Sequence, residues 1–285
     1  VLQKHNIPVI LTAHDYKLVC PSYHLQADCP KNIFAHAWHC FINKKHKDSY
    51  AASLVVAWEW LIHKLGRVYE RNIDMVVAPS KFVAEKLVAY GWPEDKVKVV
   101  PNFSDLPVLT EEKPPGHYVL FVGRLSPEKG HDVLIQTAQA LPHVPFIVVG
   151  EYEDQNTPIL PNVQYVGFRT GIELTEIYRQ ARALFVPSLA QETFGLNVIE
   201  AALQKVPAIV SNRGALPEIV INGGTGYVFD IERMHAAVEY ITELWSNPDV
   251  GDYLGRAAQA QAIAKFTPEA VWPQLYDLYC SFHTK

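Results

Sequence analysis

Nine short apolar runs, four to six residues each, punctuate this chain and constrain its fold more than any other feature. They are Pro8–Ala13, Met75–Pro79, Val97–Val100, Tyr118–Gly123, Phe146–Gly150, Val163–Gly167, Ala183–Ser188, Ala208–Ser211 and Gly226–Phe229. Between many of them lie helical patterns, at Lys81–Tyr90, Asp132–Leu141, Glu173–Ala181 and Gly195–Lys205. Strands that are continuously apolar, rather than alternating, are buried on both faces. Strands separated by helices pair in parallel, because the helix carries the chain back across the sheet. The expected fold class is therefore α/β, with parallel sheets covered on both sides. After Phe229 the chain reads as three helices, near Ile231–Ser246, Val250–Lys265 and Pro268–Ser281.

Asp105–Gly116 holds three prolines and a charge cluster between two βα series, and is the expected linker. It divides the chain into residues 1–107 and 108–267, with the last helix, 268–285, returning to the first part. A chain of 285 residues suffices for two modest domains. The first part offers only three clear strands and opens on what reads as a helix end, Val1–Asn6. It is expected to be an incomplete domain lacking an N-terminal portion.

The net charge of −5 argues against a general nucleic-acid binder. The charge is uneven: residues 1–100 balance at +4 and residues 101–285 at −9. A mildly basic first part suits an anionic acceptor or membrane surface. No apolar run approaches the length that spans a bilayer. The segment Ala51–Arg71 reads as an amphipathic helix with Trp58, Trp60, Lys64, Arg67 and Arg71, suited to core packing or to peripheral membrane contact. Of the four cysteines, Cys20, Cys29 and Cys40 lie close in sequence, with His36 and His39 beside Cys40. Zinc is conceivable there, but no Cys-x-x-Cys pair is present, so ordinary reduced cysteines and no metal are expected.

Two loops carry the chemistry. Gly123-Arg124-Leu125-Ser126-Pro127-Glu128-Lys129-Gly130 follows one strand and precedes a helix. Arg124 supplies a planar fork of donors and Lys129 a mobile point charge, and two cations at a helix start can offset a pyrophosphate. Gln191-Glu192-Thr193-Phe194-Gly195-Leu196 precedes the helix that carries Glu200. Gly195 has no side chain to block a ligand at the first turn, whose N–H groups suit a phosphate. Both loops open at the carboxyl edge of one expected sheet, where open α/β sheets bind ligands. Gly150 and Phe168 end strands at the same edge; the glycine would allow close backbone approach, and the aromatic would stack on a base or enter the core. His14 ends the first strand, as a proton carrier, a sugar ligand or a structural histidine. No Gly-x-Gly-x-x-Gly follows a strand, no Walker loop occurs, and no Asp-x-Asp indicates a metal-bridged pyrophosphate.

Taken together, Gly123–Gly130, the Glu-x7-Glu at 192–200, Ala-Pro-Ser-Lys-Phe-Val at 78–83, His-Asp-Tyr at 14–16 and Cys20-Pro21 resemble the family 4 (group 1) retaining nucleotide-sugar glycosyltransferases of the GT-B fold. The resemblance implies two Rossmann-like domains facing a cleft, the first incomplete. Arg124 and Lys129 would bind the diphosphate of a UDP- or GDP-sugar, with Gly123, Gly150 and Thr193 also on the donor side. Glu192 would hold the transferred sugar beside backbone N–H groups of Phe194, Gly195 and Leu196. Glu200 would bind ribose, Phe168 would meet the base, and His14 and Glu192 would act in catalysis. No cofactor and no metal would be needed. The acceptor would be a saccharide or lipid-linked hydroxyl, and the enzyme cytoplasmic, at the inner membrane surface. The glycine-rich loop usual on the first strand is absent. That leaves, as alternatives, a truncated non-catalytic nucleotide-sugar-binding or interaction module, and a GT-B epimerase or phosphorylase.

Overall fold

In a computed structural model, which describes residues 5, 7–23, 25, 29–46, 48–151 and 160–283, the chain forms two compact units. One comprises Val1–Pro101 and Gln274–Lys285, the other Asn102–Pro273. The helix end expected at Val1–Asn6 lies, His5 apart, outside the described residues.

The first unit holds a three-stranded parallel sheet in the order β1 (Ile10–Thr12), β2 (Met75–Ala78), β3 (Val97–Val99). Between β1 and β2 come helices α1 (Ile33–Ile42), α2 (Tyr50–Leu65) and α3 (Val68–Asn72); α4 (Lys81–Ala89) links β2 to β3. Ser80 caps α4, its hydroxyl accepting from the Val83 N–H at 3.2 Å. The core gathers Val76, Ala78, Val83, Leu87 and Trp92 with the buried turn after β1. Two expectations need correction here. Ala51–Arg71 is not one helix: Arg67 adopts φ +51° after Gly66, which ends α2 and starts α3. Helix α1 was not anticipated, because it buries His36 and Cys40 and exposes Phe34, Trp38 and Ile42, the reverse of the usual pattern.

The second unit is a six-stranded parallel sheet built from β4 (Tyr118–Val122), β5 (Phe146–Val149), β6 (Val163–Gly167), β7 (Ala181–Val186), β8 (Ala208–Ser211) and β9 (Gly226–Phe229). Their order is β6-β5-β4-β7-β8-β9. The chain thus starts in the middle, winds outward one way, then returns and winds the other way. Alternate residues face opposite cores, as the two-residue strand period requires. Val119, Phe121, Ala183, Phe185, Ile209 and Phe229 pack on one face with α5 (His131–Ala140) and α9 (His235–Ser246). Leu120, Leu184, Val186, Ala208 and Val210 pack on the other with α6 (Gly171–Arg179), α7 (Leu196–Leu203), α8 (Leu216–Ile219) and α10 (Pro248–Lys265). The final helix, α11, spans Pro268–His283. Strand β7 begins two residues earlier than expected: α6 ends at Arg179, and Ala181 already pairs with Tyr118.

Asp105–Gly116 is not a loose linker. Leu106 and Val108 pack against the second unit's core, and the carbonyls of Pro107 and Leu109 accept from Gln204 Nε2 at 2.6 Å and Gln259 Nε2 at 2.8 Å. Amide side chains that find backbone partners hold an irregular segment in place.

Candidate functional site

The strand order of the second unit reverses between β4 and β7, so the crevice at their carboxyl ends is its topological switch point. The loop after β4 carries Gly123–Gly130 and the loop after β7 carries Pro187–Gly195. These are the two motif loops, and the fold brings them into contact. The Glu128 carbonyl accepts from the Leu189 and Ala190 N–H groups, both at 3.0 Å. Lys129 Nζ donates to both carboxylate oxygens of Glu192, at 2.8 and 3.0 Å. Ser188 Oγ donates a short hydrogen bond to Glu192 Oε1. The Glu192 carboxylate is thus fixed by a cation from one loop and a hydroxyl from its own.

The backbone of the β7 loop is held as tightly. Gln191 Oε1 accepts from the Gly214 N–H at 2.8 Å, and the Glu192 carbonyl from the Ala215 N–H at 2.9 Å. Gly214 has φ +64°, and a Cβ there would lie 2.2 Å from the Glu192 carbonyl oxygen, so only glycine fits against this stretch of backbone. Gly195 precedes α7 with φ +120°, a conformation that side chains rarely adopt. It delivers Leu196 as the first helical residue, with the first-turn amides facing the switch point edge. Asn197 Nδ2 donates to the Val122 carbonyl at 3.0 Å and pins the start of α7 to the end of β4.

Glu200, one turn further along α7, accepts from the Tyr178 hydroxyl at 2.8 Å. Burial pushes the Glu200 carboxyl above its usual value, and the Tyr178 hydrogen bond works against that shift. The Tyr178 phenol is itself pushed well up by burial and by the neighbouring carboxylate. One oxygen of Glu200 is oriented by Tyr178, and the carboxylate retains acceptor capacity for a ligand hydroxyl.

The remaining expected residues fall into place unevenly. The Arg124 guanidinium is exposed and lies 3.4 Å from Glu128. Gly123 donates from its N–H to the Val149 carbonyl at 3.0 Å. Gly150 meets backbone rather than open space, since a Cβ there would fall 1.9 Å from the Gly123 carbonyl oxygen. Phe168, at the end of β6, is 62% exposed and so is not a core aromatic. Phe194 is the reverse: its side chain is 4% exposed and meets the Phe266 ring edge-on at 5.6 Å, so only its backbone is left for a ligand. Thr193 is partly buried and Leu196 exposed. His14 follows β1 in the first unit, exposed, its N–H donating to the Thr12 carbonyl at 3.2 Å. Ser188, Gln191, Tyr178 and Gly214 were not singled out from sequence. Hydroxyls, amides and glycines are too common to signal a site until their partners are known.

Comparison with known proteins follows the same division. The model described as glycosyl transferases group 1 matches residues 109–261, more than half of the chain, and that described as Glycosyltransferase Family 4 matches residues 1–107. The D-inositol 3-phosphate glycosyltransferase of Corynebacterium glutamicum is 27% identical over 291 residues, covering 96% of this chain and 66% of the relative. The GDP-mannose-dependent alpha-mannosyltransferase of Mycobacterium tuberculosis is 30% identical over 186 residues, covering 61% of this chain and 47% of the relative. Several curated relatives are matched over only about half of their length. Among solved structures, Anabaena HepE in complex with UDP and glucose is similar in fold, with TM-score 0.73 and 19% identity, covering 98% of this chain and 73% of that one.

Proposed function

Because the chain belongs to the group 1 glycosyl transferases, we propose that it is a retaining, metal-independent glycosyltransferase. In this reading it moves a sugar from a UDP- or GDP-linked donor to a hydroxyl of a saccharide or lipid-linked acceptor. One observation carries the reading: the β4 and β7 loops meet at the switch point through Lys129 and Glu192.

The donor diphosphate lies against the first turn of α7, where amide N–H groups, Lys129 and Arg124 offset its charge. An ammonium has three N–H donors, so Lys129 can serve a phosphate oxygen while keeping Glu192 in place. Glu192 accepts from hydroxyls of the transferred sugar, and Glu200 from the ribose. In transfer, the bond from the anomeric carbon to phosphate oxygen breaks as the bond to the acceptor oxygen forms on the same face. The acceptor proton passes to the departing diphosphate. Charge developing on that diphosphate is stabilised by groups already fixed in position, which is where such a site lowers its barrier. His14 is assigned to the transfer step, supported by the His-Asp-Tyr motif at 14–16. The mannosyltransferase relative, GDP-mannose-dependent by name, supports a nucleotide-sugar donor.

A peripheral lipid contact belongs to the same proposal. Among the described residues no helix is long and apolar enough to cross a membrane. Helices α1 and α2 nonetheless expose Trp38 and Trp58, each 62% accessible, together with Phe34, Leu54, Val55 and Ile62. An exposed apolar patch with tryptophans suits the headgroup boundary, where a lipid-linked acceptor would be met.

The test is a screen of nucleoside diphosphates and their sugars by thermal shift, followed by product analysis with acceptors. A ligand bound only by the folded state raises the melting point. The reading requires stabilisation by a uridine or guanosine diphosphate and a product with the donor's anomeric configuration. Failure of every nucleoside diphosphate to stabilise the chain would reject it.

A further inference from the structure

Among the described residues, one cluster of metal-ligating side chains lies away from the donor loops, in the first unit. Cys20, Cys29 and His36 are all buried, and one ligand atom from each lies within 4.8 Å of the other two. Cys40, 1% exposed, stands one turn beyond His36 on the same helix, outside this group of three. No disulfide links these cysteines.

The local structure explains how ligands with such irregular spacing converge. The turn after β1 brings Cys20 inward, its N–H donating to the Tyr16 carbonyl at 2.7 Å, and Pro21 follows. Cys29 is anchored by its carbonyl, which accepts from the Tyr90 hydroxyl at 3.0 Å. His36 and Cys40 stand four residues apart on α1, so they share one helix face. Asn32 caps that helix, its side chain accepting from the Phe34 and Ala35 N–H groups, and so fixes where the face points.

Two features are hard to reconcile with ordinary core packing. Helix α1 buries His36 and Cys40 while exposing Phe34, Trp38 and Ile42. Apolar burial alone would turn the helix the other way. In addition, His36 is 0% exposed, yet neither ring nitrogen meets an oxygen or nitrogen partner among the described residues. Its polar neighbours are the Cys20 and Cys29 thiols, which are weak hydrogen-bond partners for a buried imidazole. A cation held by its nitrogen is a stronger partner and explains the orientation of the helix.

We propose that Cys20, Cys29 and His36 hold a zinc ion, with Cys40 from the next turn of α1 completing a tetrahedral site that fastens the turn after β1 to helix α1. Three thiolates and an imidazole are the donors zinc takes in closed structural sites. With four protein ligands no position remains for water or substrate, so the site is structural. The Ser22 hydroxyl lies 3.2 Å from Cys20 Sγ and is placed to donate to the thiolate. The same turn begins with His14–Tyr16, so the metal steadies the segment that carries His14. The donor loops of the second unit take no part, and the proposal stands independently of the reaction assigned to them.

The experiment measures metal in the full chain, purified without chelator and dialysed against metal-free buffer. The expected content is about one zinc per chain. Cobalt-loaded wild type should show the intense thiolate-to-cobalt absorption and visible bands of a tetrahedral site, which needs no variant to fold. Cys29→Ser and His36→Ala should lose the zinc, whereas Cys280→Ser, at an exposed cysteine, should keep it. Four results would each overturn the proposal: folded wild type without zinc and without the cobalt spectrum, zinc retained in full by Cys29→Ser, a Cys20–Cys29 disulfide found by mass spectrometry, or iron with acid-labile sulfide in place of zinc.

Discussion

Lys129 Nζ bridges both oxygens of the Glu192 carboxylate, at 2.8 and 3.0 Å, although 63 residues separate the two in sequence. Neither side chain is fully buried, the lysine being 29% and the glutamate 15% exposed. The pair is therefore accessible to a ligand. Because its cation and its acceptor sit together, one bound molecule can present an anionic group to Lys129 and a hydroxyl to Glu192. An activated sugar has both.

Removing the cation tests this arrangement most directly. Lys129→Ala should weaken nucleoside diphosphate binding by about 10- to 100-fold, the range expected for a charge-assisted hydrogen bond. Calorimetric titration of both proteins measures it. Equal affinities would remove Lys129 from the phosphate site.

His14→Ala should separate binding from transfer. Nucleoside diphosphate affinity should be unchanged, since the donor loops lie in the second unit, while kcat falls by about 100-fold or more, the scale of a lost hydrogen bond to the transition state. Parallel calorimetry and initial-rate assays read the two effects. A full-rate His14→Ala enzyme would end the catalytic assignment.

Gly214→Ala should disturb the site without touching its chemistry. The new Cβ would collide with the Glu192 backbone in a left-handed conformation. Destabilisation of about 1–3 kcal/mol is expected from such strain. Urea unfolding should reveal it, together with a loss of donor affinity; a variant as stable as wild type would show that the loop yields.

The raised Glu200 carboxyl sets a pH dependence of stability. The folded state holds this proton more tightly than the unfolded chain, whose carboxyl titrates near the ordinary 4.5. The contribution is therefore complete below that pH and declines as pH rises through the folded value. Glu200→Gln should flatten this decline in urea-unfolding stability measured from acid to neutral pH. An unchanged profile would show that Glu200 is not its source.

Trp38→Ala and Trp58→Ala together should reduce sedimentation with anionic vesicles without lowering the melting temperature, since both rings are largely exposed. Equal sedimentation of wild type and variant would locate any lipid contact elsewhere.

Much of this molecule is written locally in its sequence. Continuous apolar runs such as Phe146–Val149 announce strands buried on both faces, and the Arg124/Lys129 and Glu192/Glu200 loops announce anion and hydroxyl chemistry. Strand type and loop composition depend on neighbouring residues, so a linear reading reaches them. The tertiary structure alone decided that β4 and β7 lie side by side, which joins Lys129 to Glu192, and that Gly214 from beyond β8 packs against the Glu192 backbone. Strand order follows from long-range pairing, which leaves no trace in local periodicity. The same holds for Cys20, Cys29, His36 and Cys40. Their spacing matches no short motif, and only the turn after β1, folded against an inverted helix, brings Cys20, Cys29 and His36 together, with Cys40 one turn further along α1.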